Sequence, residues 1–314
     1  MSGLDLVLSD RHRTTHRIST FTFQRADGQP LPQWEPGAHI SLRLPGGHLR
    51  DYSLCGDPAE ELSWTVAVQR DPTGRGGSME LHDNVAIGDR VRSAAPVNSF
   101  HLRPAGRYLF IAGGIGITPI VPMIESLERS GHSDWSLLYL VRERREAVFL
   151  DRLSDPERVT LWVSEEQGRF DLTAFRERFD DGTEIYACGP TGMLTQLEEM
   201  AADAGDRFHR EFFSGVADIP LTEDEAFEVI LATTGTTVTV HPHESILSAV
   251  EAAVPGLSIY QSCLEGVCGS CETAVLAGVP DHRDLVLTRR QKERNDRMMI
   301  CVSRCEGTQL TLEL

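Results

Sequence analysis

The sequence has 314 residues, too many for one ordinary hydrophobic core and a size that suits two or three domains. Its apolar fraction of 40% fits a packed globular chain, and its net charge of −17 disfavours partners that present phosphate, so neither nucleic acid nor an anionic membrane is expected. Seven cysteines, an odd and sparse count, argue against a disulfide scaffold and for the reducing cytoplasm.

The opening stretch "MSGLDLVLSDRHRTTHR" lacks the apolar core of a signal peptide. The most apolar segment, residues 108–124, is interrupted by Gly113, Gly114, Gly116, Pro119 and Pro122, so no membrane span is expected. The first hundred residues read as β structure: "ISTFTFQR", "HISLRLPG", "LRDYSLC" and "LSWTVAVQR" are short alternating or β-branched runs between Gly and Pro signals, and they predict an antiparallel β-barrel.

The pattern changes at "GRYLFIAGGIGITPIVPMIESLERSG", an apolar strand, a glycine turn and a helix that stops at Gly131. A strand "WSLLYLVR", a helix "EAVFLDRLS", a strand "RVTLWVS" and the strand–turn–helix "EIYACGPTGMLTQLEEMAADAG" follow. Strands alternating with helices predict an α/β domain with a parallel sheet. The acidic, aperiodic segment 213–226 is the linker candidate. Beyond it, "FEVILATTGTTVTVHPHESILSAVEAA" reads as two strands joined by a Gly turn and then a helix.

Three cysteines then fall within nine positions in "YQSCLEGVCGSCETA", and Cys301 follows later. Cys263-x4-Cys268-x2-Cys271 with a distant fourth cysteine is a standard plant-type [2Fe-2S] spacing. Gly266 and Gly269 let the backbone wrap closely and aim N–H groups at the sulfurs. A zinc site using Cys301 and Cys305, or a thiol redox pair of Cys268 and Cys271, is compatible with the same residues. Cys305 reads as a buried small residue, and Cys55 and Cys188 as unpaired thiols.

Gly113, Gly114 and Gly116 in "AGGIGITP" stand where a pyrophosphate could meet a helix start, although Pro119 replaces the third glycine of the dinucleotide fingerprint. Cys188, Gly189 and Pro190 end the later strand of the same domain, where open α/β sheets bind ligands. In the barrel, Arg50, Tyr52 and Ser53 of "LRDYSL" and Arg75, Gly76, Gly77 and Ser78 of "GRGGS" offer a guanidinium and a backbone nest for phosphate. Taken one at a time, each is equally a tight turn or a solvated edge.

In this order the motifs R-x-Y-S, G-R-G-G-S, G-G-I-G-I-T-P, C-G-P and the cysteine set make the whole chain resemble the phthalate dioxygenase reductase family. The resemblance implies an FMN-binding antiparallel β-barrel at 1–104, a NAD-binding α/β domain at 105–213, a linker at 214–226 and a plant-type [2Fe-2S] ferredoxin domain of α+β (β-grasp) form at 227–314. It implies that Arg50, Gly76, Gly77 and Ser78 hold the FMN phosphate, and that Tyr52 and Ser53 line the isoalloxazine with the Ser53 hydroxyl near N5. Gly114, Gly116 and Thr118 would face the nicotinamide nucleotide, with Cys188, Gly189 and Pro190 at the reacting nicotinamide. Ser53 and Cys188 are thus the residues implied at the site of hydride transfer. In "HREFFSG", Phe212 or Phe213 would cover the flavin ring. Cys263 and Cys268 would bind the outer iron, Cys271 and Cys301 the inner one.

Family habit favours NADH, whereas Arg142, Arg144 and Arg145 after the second strand of the nucleotide domain are residues that could accept the 2′-phosphate of NADPH. The resemblance further implies a reductase component that passes electrons from NADH through FMN and the cluster to a separate, Rieske-type terminal oxygenase. The alternative is a free-standing NAD(P)H diaphorase or flavin reductase, and a zinc-stapled binding protein is a third class. Residues 223–314 hold 14 Asp/Glu against 7 Lys/Arg, a balance that suits docking to a basic oxygenase surface.

Overall fold

The computed structural model describes residues 3–153, 155–180, 182–213, 225–257 and 259–314. The chain divides into two compact units, Met1–Phe213 and Ser214–Leu314. Most of the expected linker, residues 214–224, lies outside the described residues.

The first unit begins with strands β1 (Leu4–Arg13), β2 (Ile18–Arg25), β3 (Ala38–Arg43), β4 (Leu49–Ser53) and β5 (Trp64–Gln69), then helix α1 (Gly77–Asp83) and strands β6 (Arg90–Ser93) and β7 (Val97–Asn98). They form one antiparallel sheet in the order β4-β3-β6-β1-β2-β5, with β7 on β3. A Leu54–Val66 bridge and a Cys55 N–H to Thr65 C=O bond of 2.9 Å join the two ends, closing the barrel. Closure removes the exposed strand edges that an open sheet would present. Alternate residues of β2, Phe21 and Phe23, point inward with Leu6, Leu8, Ile40, Leu42 and Trp64.

Strand β1 is not among the runs expected from the sequence, yet it is paired on both sides, with β2 and β6. Leu4, Leu6 and Leu8 alternate as a half-buried strand should, but the charged run Asp10–Arg13 that completes it hides the pattern. The GRGGS turn also does more than expected, since it runs directly into α1, whose Leu81 enters the barrel core.

The same unit continues with β8 (Arg107–Gly113), α2 (Ile120–Arg129), β9 (Trp135–Val141), β10 (Val159–Val163), a short α3 (Ser164–Gln167), β11 (Thr183–Cys188), α4 (Thr191–Met200) and β12 (Phe208–Glu211). All five strands are parallel, in the order β10-β9-β8-β11-β12. Ile120, Met123, Ile124 and Leu127 of α2 repeat at helical spacing and are buried in the core beneath the sheet. That core includes Ile18, Cys55 and Ala67 of the barrel, so the two sheets share it.

The helix expected at "EAVFLDRLS" does not form. Two single 3₁₀ turns, Arg144–Glu146 and Leu150–Arg152, stand there instead, and Phe149 between them has φ 64°. Val148 and Leu153 are both buried, yet in an α-helix residues five apart point about 140° away from each other. Burying both outweighs local helix preference.

The second unit contains β13 (Phe227–Leu231), β14 (Thr236–Val240), α5 (Ile246–Ala253), β15 (Glu272–Ala277), β16 (Pro280–Asp281), α6 (Arg289–Arg294), β17 (Arg297–Met299), β18 (Arg304–Cys305) and β19 (Gln309–Leu312). Its main sheet has the order β14-β13-β19-β15-β17, with β13 and β19 parallel at the centre and the other pairs antiparallel. Helix α5 starts at Ser245, whose hydroxyl accepts the Ser248 N–H, and buries Ile246, Leu247, Ala249 and Val250 in this unit's core, a β-grasp arrangement. Among the described residues no helix is long and apolar enough to cross a membrane.

Candidate functional site

In the parallel sheet the chain order reverses between β8 and β11, so a crevice opens beyond their carboxyl ends. Both glycine motifs lie there. A Cβ on Gly116 would stand 2.2 Å from the Cys188 carbonyl oxygen, and one on Gly189 would stand 2.8 Å from Gly113 Cα. Only glycine permits this approach of the two turns. Gly114 takes φ 54° with open space where its side chain would be, and Pro190 leads into α4. Thr118 is buried, and its hydroxyl donates to the Ile115 carbonyl at 3.0 Å, so it shapes the turn.

The barrel brings its own motifs together. Arg50 on β4 donates Nη2 to the Arg75 carbonyl at 2.8 Å, and a Cβ on Gly77 would stand 2.6 Å from Arg50 Cγ. The bare Gly77 is therefore what lets the arginine lie along the turn. The Ser78 hydroxyl accepts the Asp71 N–H at 3.1 Å, tying down the loop that carries Arg75 and Gly76. Tyr52, two residues from Arg50 and so on the same strand face, has a buried hydroxyl without a hydrogen-bond partner among the described residues. Burial pushes that phenol up, against the pull of Arg50. A guanidinium, a glycine cradle and an orphaned buried hydroxyl form a donor set that fits a flavin phosphate and ring.

Between these two arrays lies a residue that sequence reasoning missed. Glu211, at the end of β12, is paired in register with Cys188 of β11 and accepts the Ser53 hydroxyl at 3.4 Å. Burial pushes its carboxyl up to about 8, opposed by the Ser53 hydrogen bond and assisted by Asp51. The Cys188 thiol is fully buried, and its pKa is driven well up by burial and then by Glu211. Ser53, Cys188 and Glu211 therefore converge from three strands. The available signal was a lone acid beside two phenylalanines in "REFF" at a strand end. Of that pair, Phe212 belongs to the buried set, with the Arg210 guanidinium over its ring, whereas Phe213 is 41% exposed.

Each arginine after β9 meets a carboxylate: Arg142 with Glu165 at 3.1 Å, Arg144 with Glu166 at 3.0 and 2.7 Å, and Arg145 with Glu143 at 2.5 Å.

In the second unit, Cys263, Cys268, Cys271 and Cys301 are all at most 9% exposed, and none of the chain's cysteines is in a disulfide. Cys263 interacts with Cys268 and Cys271 with Cys301, while the Cys263 sulfur accepts the Glu265 N–H at 3.3 Å and the Cys268 sulfur lies 3.0 Å from the Ser270 hydroxyl. The bond with Cys268 and the backbone N–H groups of Glu265, Val267 and Cys268 pull the Cys263 thiol down to about 6. Its bond with Cys271, then burial, push Cys301 up. The loop turns on Gly266 at φ 68°, where a Cβ would stand 2.6 Å from Val302 Cγ2, and on Gly269 at φ 76°. Four soft donors in a nearly water-free loop lined by N–H groups fit an iron–sulfur cluster. Cys305 stands apart, half-buried, its sulfur accepting the Gly307 N–H at 3.2 Å.

The family described as "2Fe-2S iron-sulfur cluster binding domain" matches residues 229–306. The phenoxybenzoate dioxygenase subunit beta of Ectopseudomonas oleovorans is 43% identical over 288 residues, 90% of this chain and 89% of that protein. The crystal structure of an intact type IV self-sufficient cytochrome P450 monooxygenase is 38% identical with a TM-score of 0.88, matching 99% of this chain, which spans only 41% of that longer one. A phthalate dioxygenase reductase structure, described as modular for electron transfer from pyridine nucleotides to [2Fe-2S], is 32% identical with a TM-score of 0.71 over 100% of this chain and 98% of that one. With identity of this order over its whole length, and with the crevice, barrel turn and cysteine loop all in place, the chain belongs to the phthalate dioxygenase reductase family.

Proposed function

We propose that this chain is the reductase component of an oxygenase system, carrying electrons from NADH by way of FMN and a [2Fe-2S] cluster to a separate oxygenase. The observation that carries the reading is the coexistence in one chain of the switch-point crevice beside Ser53, Cys188 and Glu211 and a buried cysteine quartet. When bound, a flavin converts the two electrons of a hydride into single-electron steps that an iron–sulfur cluster can accept.

The protein's part is binding, orientation and exclusion of water. In this reading the barrel, residues 1–104, holds the flavin: Arg50 and the Gly76-Gly77-Ser78 turn take the phosphate, Tyr52 offers its unpartnered hydroxyl, and Ser53, held by Glu211, stands at N5. The parallel-sheet part, 105–213, binds the nicotinamide nucleotide over Gly114, Gly116, Thr118, Gly189 and Pro190. Cys188 keeps that floor dry, and exposed Phe213 shields the flavin. Residues 227–314 hold the cluster, and the pairing of Cys263 with Cys268 and of Cys271 with Cys301 supports two ligands per iron. The carboxylate on each of Arg142, Arg144 and Arg145 supports NADH, because a 2′-phosphate would have to displace one.

An anaerobic visible spectrum before and after one equivalent of NADH tests the chain of carriers. Flavin and cluster bands should bleach together. Bleaching of flavin with no cluster bands would leave a diaphorase. The likeness to part of a self-sufficient cytochrome P450 monooxygenase favours a second acceptor class, a haem oxygenase. Assays with both oxygenase classes separate the two, since only the true acceptor should depend on an intact cysteine loop.

A further inference from the structure

The hairpin between β3 and β4 carries His48 next to the glycine turn, outside both barrel motifs. Its Nδ1 is hydrogen-bonded to Glu80, a carboxylate only 6% exposed on α1. The other Glu80 oxygen accepts the Gly46 N–H at 2.5 Å. Both oxygens are thus engaged, and the imidazole plane is fixed from behind. The opposite edge of the ring faces the turn: a Cβ on Gly76 would stand 3.1 Å from His48 Nε2 and 3.3 Å from its Cε1. Gly76 has φ 85°, and Arg50 lies against the next residue, Gly77. Nε2 of His48 and the Arg50 guanidinium therefore flank the same two glycines. A carboxylate on one ring nitrogen dictates what the other can do. With Nδ1 held by Glu80, Nε2 is the ring nitrogen left facing the place where an anion would meet the Gly76–Gly77 backbone.

We propose that His48, oriented by Glu80, is a further phosphate-binding residue that makes the barrel selective for a phosphorylated flavin over one that lacks the phosphate. The inference rests on the reading of the barrel as the flavin site. His48 contacts the phosphate through Nε2, and Glu80 is a positioning residue. The Gly46 and His48 bonds to Glu80 keep its charge from repelling the incoming phosphate.

The test is a fluorescence titration of the full-length protein, freed of flavin, with FMN and separately with riboflavin. His48→Ala should weaken FMN binding about tenfold, the loss of one charge-assisted hydrogen bond, and leave riboflavin affinity unchanged. Unchanged riboflavin binding also shows that the barrel is folded. His48→Gln, whose amide can still donate, should restore part of the loss, and Glu80→Gln should cost FMN affinity alone. Equal losses for the two ligands, or no loss, would overturn the proposal and leave His48 a hairpin brace. Arg50→Gln tells this failure from failure of the wider reading. If that variant discriminates against FMN while His48→Ala does not, only the His48 proposal falls. If the wild-type protein does not prefer FMN to riboflavin, the reading of the site falls with it.

Discussion

The Ser53 hydroxyl donates to the Glu211 carboxylate across 3.4 Å, between residues 158 positions apart in sequence. The bond joins the last residue of a barrel strand to the last residue of a parallel-sheet strand, where the two cofactors of the proposed function would meet. The burial of the Glu211 carboxyl sets a pH dependence. The Glu211 carboxyl, pushed up to about 8 by burial, binds its proton more tightly folded than unfolded. Its contribution to stability is full below the ordinary glutamate range and is lost as pH rises through about 8. Thermal unfolding of the flavin-free protein should show Tm falling between pH 5 and 9, and Glu211→Gln should flatten that slope, ending a few degrees above wild type at the alkaline end. Parallel curves for the two proteins would show that Glu211 stays ionised when folded.

Cluster loss should be selective. Cys263→Ser or Cys301→Ser should remove most of the iron and the cluster absorbance while NADH-dependent dye reduction, which needs only the first unit, stays within about twofold. Cys305→Ser should leave iron content unchanged, because among the described residues that sulfur accepts the Gly307 N–H and is not one of the four cysteines of the loop. Iron and sulfide analysis with a dye assay reads both.

Two glycines of the nucleotide-binding part should respond oppositely to alanine. Gly116→Ala drives a methyl to within 2.2 Å of the Cys188 carbonyl oxygen, which forces the two turns apart. Overpacking of this kind costs about 1–3 kcal/mol or more, and the KM for NADH should rise at least tenfold. Gly192→Ala, in helix α4 with nothing within 4 Å of the new methyl, should stabilise by up to about 1 kcal/mol. Denaturant midpoints for the two variants should move in opposite directions.

Nucleotide choice should follow the carboxylates rather than the arginines. Glu165→Gln with Glu166→Gln releases Arg142 and Arg144 from their partners. These pairs are largely exposed and individually weak, so the expected gain is a few-fold lower KM for NADPH with the NADH value little changed. Steady-state assays with both nucleotides decide it, and an unchanged NADPH KM would place the adenosine ribose elsewhere.

Tyr52→Phe should barely change the stability of the flavin-free protein, since the phenol has no hydrogen-bond partner among the described residues. FMN affinity should fall by about three- to tenfold if the flavin supplies that partner. A loss of stability without a loss of affinity would point to packing alone.

What the sequence determined by itself is local. The Cys263-x4-Cys268-x2-Cys271 spacing, the Gly-rich turns after apolar strands and the strand periodicity in "ISTFTFQR" each depend on neighbours within a dozen residues. Backbone geometry couples such neighbours directly, so the class of each part was legible. What only the tertiary structure decided depends on distant segments. Glu211 acquires its raised pKa from burial beside Ser53 and Cys188, and His48 acquires its orientation from Glu80, 32 residues away. The helix expected over 146–154 gave way because Val148 and Leu153 had to reach one core, and Arg142 and Arg144, which the sequence left open as ligands for a 2′-phosphate, pair with Glu165 and Glu166. In each case the deciding energy is desolvation or ion pairing across the fold, and no window of consecutive residues contains it.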